Sequence, residues 1–243
     1  MAFNLVYKRF GACSILVEWP AVIEEEILKD IMIFKTAIEK NNIKTIVELK
    51  HAYNSLLISY SSFLESFKNE SDRLKNLYKS LNFKNDTVSV LWRIPVCYDA
   101  VFGIDLETIS VEKKLSKDMI IKRHSESIYT VYFIGFLPGF LYLGGLDESL
   151  YMARKTTPRL QIEKGAVAIG GNQTGVYPMS SPGGWHVIGN SPIAFFNPKL
   201  KSPCFAKAED RIVFEPISLK EYHNIKVLVE AGVFQLKSEV FHG

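Results

Sequence analysis

Two short runs rich in β-branched and aromatic residues open the chain, "FNLVYKRF" and "CSILVEW", with Gly11 between them. Such runs on either side of a breaker predict a hairpin of two strands. After Pro20, which suits a first helical turn, Ile23, Ile27, Ile31, Phe34 and Ile38 recur at three- and four-residue steps and mark one apolar helix face. "KTIVEL" and "SLLISY" predict two further strands, "SFLESFKNESDRLKNLYKSL" a second amphipathic helix with a serine cap, and "TVSVLWRIPV" another strand. The order ββ-α-ββ-α-β predicts a small α+β domain over residues 1–90, with the sheet on one side and both helices on the other.

The pattern changes after Pro95. "DLETISVEKKL" and "SKDMIIKRHSES" predict short helices, and then "YTVYFIGF", "GAVAIGG", "WHVIGN", "IAFFN" and "RIVFEP" follow closely, mostly apolar and punctuated by glycine and proline. Close-set strands with glycine turns predict a mainly β barrel domain over residues 91–217. "SLKE" at 218–221 has capping-box spacing, so a last helix is expected over 219–230, with "VFQLKSEVF" as a tail; residues 218–243 form a C-terminal segment.

Composition changes this picture little. The 243 residues are 47% hydrophobic with a formal charge of +3, and the lysines are interleaved with acidic residues, so no basic stripe suggests nucleic acid. Cys13, Cys97 and Cys204 are an odd, widely spaced set without a Cys-x-x-Cys pair, which argues against a disulfide framework or a structural zinc. The start "MAFNLVYKRF" has no signal-peptide pattern, and no apolar run approaches the ~18 residues of a spanning helix. A cytoplasmic protein without a membrane span is expected.

The phosphate-binding Gly-x-x-x-x-Gly-Lys, the dinucleotide Gly-x-Gly-x-x-Gly, the Gly-x-Ser-x-Gly elbow and the His-Glu-x-x-His zinc motif are all missing. "GGNQTG" follows a strand without a clear helix after it, so its amides read as shaping a turn rather than gripping phosphate. The stretch from Gly135 to Trp185 is the densest in glycine, proline and aromatics, a composition suited to turns that position something. His124, just ahead of that stretch, is the best titratable candidate; the plainer reading is a histidine meeting the last carbonyls of a helix. Arg159, stiffened by Pro158, is either held ready for a carboxylate or phosphate or engaged in a surface ion pair. Tyr142 and Trp185 are cavity walls or barrel core.

The run "GFLPGFLYLGGL", then "TPR", then "AIGGNQTGVYPMSSPGGWHVIG" closely resembles the family of 5-oxoprolinase B subunits, also described as sensor-kinase inhibitors and allophanate hydrolase subunit 1 proteins. "RFGACSILVEW" and "IPVCYDAVFGIDLE" extend the likeness over nearly the whole chain except its C-terminal end. The resemblance implies a small α/β domain followed by a cyclophilin-like β-barrel. It also implies one component of an ATP-dependent enzyme that opens 5-oxo-L-proline to L-glutamate with partner subunits A and C, inactive alone. ATP would be used by the complex, with no standard nucleotide motif in this chain, and no metal ligands are assigned. Carried over position by position, the resemblance marks His124, Arg159 and Gln173 as catalytic. It marks Gly135, Pro138, Gly139, Tyr142, Tyr177, Ser181, Pro182, Gly183, Gly184 and Trp185 as substrate-binding or interface positions. The glycines and prolines of the stretch, which allow close backbone approach and hold its turns, suggest a rim shared with a partner subunit, with Trp185 as its anchor. His124 is expected to move a proton or orient Gln173. Departures are Ala153-Arg154 in place of a Pro-Arg pair, "EKGA" in place of a Pro-Ala-Gly-Ser turn, and Asn190 where arginine is frequent. Relatives described as kinase inhibitors leave a second role open, a protein that binds a sensor histidine kinase. A third is a carboxyltransferase-like domain of a urea system.

Overall fold

The computed structural model describes residues 3–82 and 88–241. The chain divides into two units, Met1–Thr87 and Val88–Gly243. In the first, strands β1 (Val6–Arg9), β2 (Ser14–Glu18), β3 (Ile46–His51) and β4 (Ser55–Tyr60) form an antiparallel sheet in the order β1-β2-β4-β3. Gly11 turns the opening hairpin at φ +65°, a conformation open to glycine at little cost. Helix α1 (Glu25–Lys40) buries Ile27, Ile31, Phe34 and Ile38, the stripe expected from the spacing, whereas Ile23 precedes the helix. Helix α2 (Phe67–Lys79) starts later than its apolar pattern suggested, because the Ser66 side chain accepts from the Asn69 amide and fixes the first turn there. Ile15, Val17, Leu56 and Ile58, alternating along β2 and β4, meet those helix faces in one core. Each such side chain taken fully out of water contributes about 1.5–3 kcal/mol.

The second unit is a closed barrel of seven strands plus helices. Strands β5 (Ser89–Cys97), β6 (Tyr129–Ile134), β7 (Leu141–Gly144), β8 (Arg159–Ile162), β9 (Ala166–Gly170), β10 (Gln173–Val176), β11 (Ser181–Gly183), β12 (His186–Asn190), β13 (Arg211–Ile217) and β14 (Ser238–Phe241) occur with helices α3 (Leu106–Lys113), α4 (Lys117–Glu126) and α5 (Leu219–Glu230). The barrel runs β12-β9-β10-β7-β6-β13-β5 and closes where Asn190 pairs with Cys97. Val96, Val131, Leu141, Leu143, Val167, Ile169, Val176, Ile188 and Ile212 fill its inside. The β8–β11 ribbon is a separate two-stranded piece.

Three sequence expectations change. The strand begun in "TVSVLWRIPV" was expected to end the first domain; its Thr87 lies outside the described residues, and from Leu91 to Cys97 it pairs in parallel with β13 and so belongs to the barrel. "IAFFN" is not a strand: Ile193 and Phe195 are buried as a strand's alternate residues would be, but among the described residues no ladder partner reaches them. The expected C-terminal tail contains β14, which adds to the edge of β5, while α5 carries the capping box that "SLKE" predicts. Among the described residues no helix is long and apolar enough to cross a membrane.

Candidate functional site

Strict alternation along β9 and β10 sends Val167, Ile169, Thr174 and Val176 into the barrel, and leaves Ala166, Ala168, Gly170, Gln173, Gly175 and Tyr177 on the outer wall. The glycines make room on that wall. A Cβ at Gly170 would run into the Trp185 indole, and one at Gly175 would come within 3.2 Å of the Phe140 ring. The space is filled by an aromatic cluster: Phe140 meets Trp185 edge-on at 5.7 Å and Tyr177 at 5.4 Å, Tyr142 meets Trp185 at 6.5 Å, and Phe133 stacks on Tyr142 at 4.2 Å. Ile162 of β8 closes one side, and Gly183 of β11 lies so close to Tyr177 and Ile162 that a side chain there has no room.

Arg154 stands over this cluster, its guanidinium carbon 5.6 Å from the Trp185 ring centroid. Its backbone is bolted on both sides: Met152 exchanges hydrogen bonds with Gly171, the Ala153 carbonyl accepts from His186 Nε2, and the Lys155 amide donates to the Gly184 carbonyl. The side chain itself is exposed, and among the described residues no carboxylate pairs with it. Burial pushes the Tyr177 hydroxyl up to about 12 and also raises Tyr142; the nearby Arg154 charge pulls both back.

Arg159 has a different situation. Its two terminal nitrogens donate to both oxygens of Asp105 at 2.7 Å each, and Asp105 also takes Lys155 Nζ at 2.9 Å and the Val187 amide at 2.8 Å. Burial works against ionisation of Asp105, but the Arg159 fork, Lys155 and that amide outweigh it and hold the carboxyl below its ordinary range. Of the two readings open for Arg159, the ion pair is what the structure contains, and its carboxylate is 3% exposed rather than on the surface. Sequence reasoning missed Asp105, which precedes α3 and lies near the end of "IPVCYDAVFGIDLE", a run that carried the family likeness without singling this carboxylate out. A cavity of about 200 Å³ adjoins the pair, lined by Phe102, Ile104, Arg159, Ile162, Ala166 and Val187 among others.

His124 is fully buried. Thr174 Oγ1 donates to the Ala168 carbonyl at 3.0 Å, so toward His124 Nε2, 2.9 Å away, it acts as acceptor; the ring therefore carries its proton on Nε2, and Nδ1 accepts from Tyr98 Oη at 2.8 Å. Burial depresses its pKa to about 3. Its neighbour is Thr174, inside the barrel, rather than Gln173, outside it, and both nitrogens are occupied. The expected proton transfer or orientation of Gln173 has no geometric basis here, and the residue acts as a strut tying α4 to the strands.

The remaining sequence candidates divide by place. Gly135, Pro138 and Gly139 form the β6–β7 turn, where Gly139 has φ +84° and a Cβ would sit 2.8 Å from the Phe195 carbonyl oxygen. Ser181, Pro182 and Gly183 make β11, with Gly184 just after it. Trp185 is 5% exposed, a wall of the cluster rather than a projecting anchor of a partner contact. Gln173 opens β10, and its Oε1 is buried with no hydrogen-bond partner among the described residues. Asn190, one of the departures, is structural: Nδ2 donates to the Lys164 carbonyl and Oδ1 accepts from Tyr222 Oη. No group of three or more His, Cys, Asp or Glu among the described residues is arranged to hold a metal ion.

Residues 5–206 match the family model described as carboxyltransferase domain, subdomain C and D. The 5-oxoprolinase B subunit of Bacillus subtilis (strain 168) is 34% identical over 240 residues, covering 93% of this chain and 98% of the relative. The crystal structure of TTHA0988 superposes with a TM-score of 0.74 at 29% identity over 84% of this chain, which spans 40% of that one. The Kluyveromyces lactis urea amidolyase, at 18% identity, shares the fold with a TM-score of 0.86 over 99% of this chain and 16% of its own.

Proposed function

Because this chain belongs to the family of carboxyltransferase domains of the subdomain C and D type, we propose that it is the B subunit of an ATP-dependent 5-oxoprolinase, opening 5-oxo-L-proline to L-glutamate with partner subunits A and C. One observation carries this reading: identity to a protein named as the B subunit of 5-oxoprolinase extends over 98% of that protein's length. A five-membered lactam is a stable amide, so its opening is helped by activating the carbonyl and by fixed donors for the developing oxyanion. The outer wall of the barrel suits part of this task. Arg154 offers a cation without a carboxylate partner among the described residues, and the packed Trp185, Tyr142 and Phe140 rings beneath it keep water from that side. Asp105 fixes the segment that bears Lys155 and Arg159. With no nucleotide motif in the sequence, ATP, a substrate of the complex, is assigned to a partner subunit.

The test is reconstitution with the subunits encoded beside it. ATP-dependent release of glutamate is expected from the three-subunit mixture and from no single subunit. Glutamate release by the other two at the same rate with this chain left out would reject the assignment, as would turnover by this chain alone at ~1 per second or more.

A further inference from the structure

On the reading of this chain as an oxoprolinase component, we propose that the aromatic wall is the place where the lactam is recognised, with Gln173 Oε1 accepting the ring N–H and Arg154 taking the carboxylate. The ladder brings these groups together. Gln173 is paired directly with Gly170, so its side chain leaves the same face, and the Trp185 indole lies over Gly170. The Gln173 carboxamide is thus a cross-strand neighbour of the indole that Arg154 covers at 5.6 Å. The Met152–Gly171 bridge holds the Arg154 segment beside the same β9–β10 turn, where Gly171 and Asn172 are exposed.

Each group is unfinished in the free chain. A buried carboxamide oxygen without a donor is unfavourable, and Gln173 Oε1 is in that condition. Arg154 has no carboxylate among the described residues, in contrast to Arg159, whose fork is filled by Asp105. A ligand completing both needs one N–H donor and one anionic group on adjoining atoms of a small body with apolar faces. A five-membered lactam with a carboxylate on the carbon next to nitrogen has this arrangement, and its methylenes suit the half-buried Tyr142 ring at the edge of the wall. Gln173 then determines specificity: it reads the lactam nitrogen, and it does not enter the bond-breaking step.

Binding to the assembled complex without ATP, measured by calorimetry, tests the assignment. The probes are 5-oxo-L-proline and the lactone acid in which a ring oxygen replaces N–H. The wild type is expected to prefer the lactam by tenfold or more, since the lactone leaves the buried acceptor unfilled. Gln173→Leu, or Gln173→Met if the leucine variant fails to assemble, is expected to bring the ratio below about threefold through loss of lactam affinity. Arg154→Met is expected to weaken both ligands about tenfold or more and to leave their ratio unchanged. A wild-type complex that opens 5-oxoproline yet does not discriminate, a Gln173 variant that keeps the ratio, or an Arg154 variant with unchanged affinities overturns the assignment while the oxoprolinase reading stands. A wild-type complex that neither binds nor opens 5-oxoproline overturns both.

Discussion

Acidification should weaken the barrel through His124, and the size of the effect follows from its burial. The ring is buried with both nitrogens committed, and its pKa falls to about 3 from an ordinary 6.5. A proton that the unfolded chain accepts below pH 6.5 is refused by the folded one. The contribution to stability is therefore complete above pH 6.5 and is lost as pH falls, with the loss ending near the folded value. At about 1.36 kcal/mol per unit, the step from pH 7.5 to 5.5 removes about 1.4 kcal/mol, and a further unit removes about as much again. His124→Gln keeps a hydrogen-bonding side chain of similar length and cannot titrate. Urea denaturation of both proteins at the two pH values, followed through the barrel transition reported by Trp92 and Trp185, isolates the term, because every other titrating group is shared and cancels. The variant is expected to be less stable at pH 7.5, with its deficit shrinking by about 1.4 kcal/mol at pH 5.5. Parallel stability losses in the two proteins would refute the buried, neutral strut.

Asp105→Asn leaves Arg159 and Lys155 without their shared carboxylate, and a fall in barrel stability of about 3 kcal/mol is expected by chemical denaturation; an unchanged midpoint would mean the pair is merely superficial. Because the Asp105 carboxyl is held below its ordinary range, its share of stability is present above that range and is lost as pH falls below it, a dependence the asparagine variant should lack. Trp185→Ala should cost about 3–5 kcal/mol in folding, since the indole is a wall of a packed cluster; a variant that melts like the wild type but fails to assemble would restore the projecting-anchor reading. Gly139→Ala forces a side chain into φ +84° and against the Phe195 carbonyl, and a loss of about 2 kcal/mol or more is expected in the same melts.

What could be read beforehand was what local chemistry writes into the chain. The α1 stripe, the Gly11 hairpin and the α5 capping box each lie within a few residues of sequence, and each appears where its pattern stands. The allegiance of β5 could not be read, because its partner β13 is distant along the chain and parallel pairing leaves no turn signal between them. "IAFFN" shows the opposite failure. Alternating burial comes from packing, and packing against the β6–β7 turn imitates a strand without making a ladder. For the site, composition located the right stretch but not the roles within it. Whether an arginine is free or a histidine wet depends on what folds against it, and Asp105, which settles the matter for Arg159, has no spacing to reveal it.

The segment "RKTTPR" concentrates this lesson, since its cations share composition and differ in task because one carboxylate is within reach of some and not of others. Asp105 lies on the α3 side of the ribbon, where Lys155 and Arg159 converge on it, and their combined charge exceeds what it neutralises. Arg154 leaves the backbone between two anchored neighbours and comes to rest over Trp185. Locking one end of the segment thus limits the freedom of the other, and a cation held before its ligand arrives loses less entropy on binding than one on a mobile loop. The family departure at Ala153 is compatible with this economy: the Ala153 carbonyl, which any residue supplies, is what His186 holds, so the rigidity that proline would confer is provided by a hydrogen bond instead.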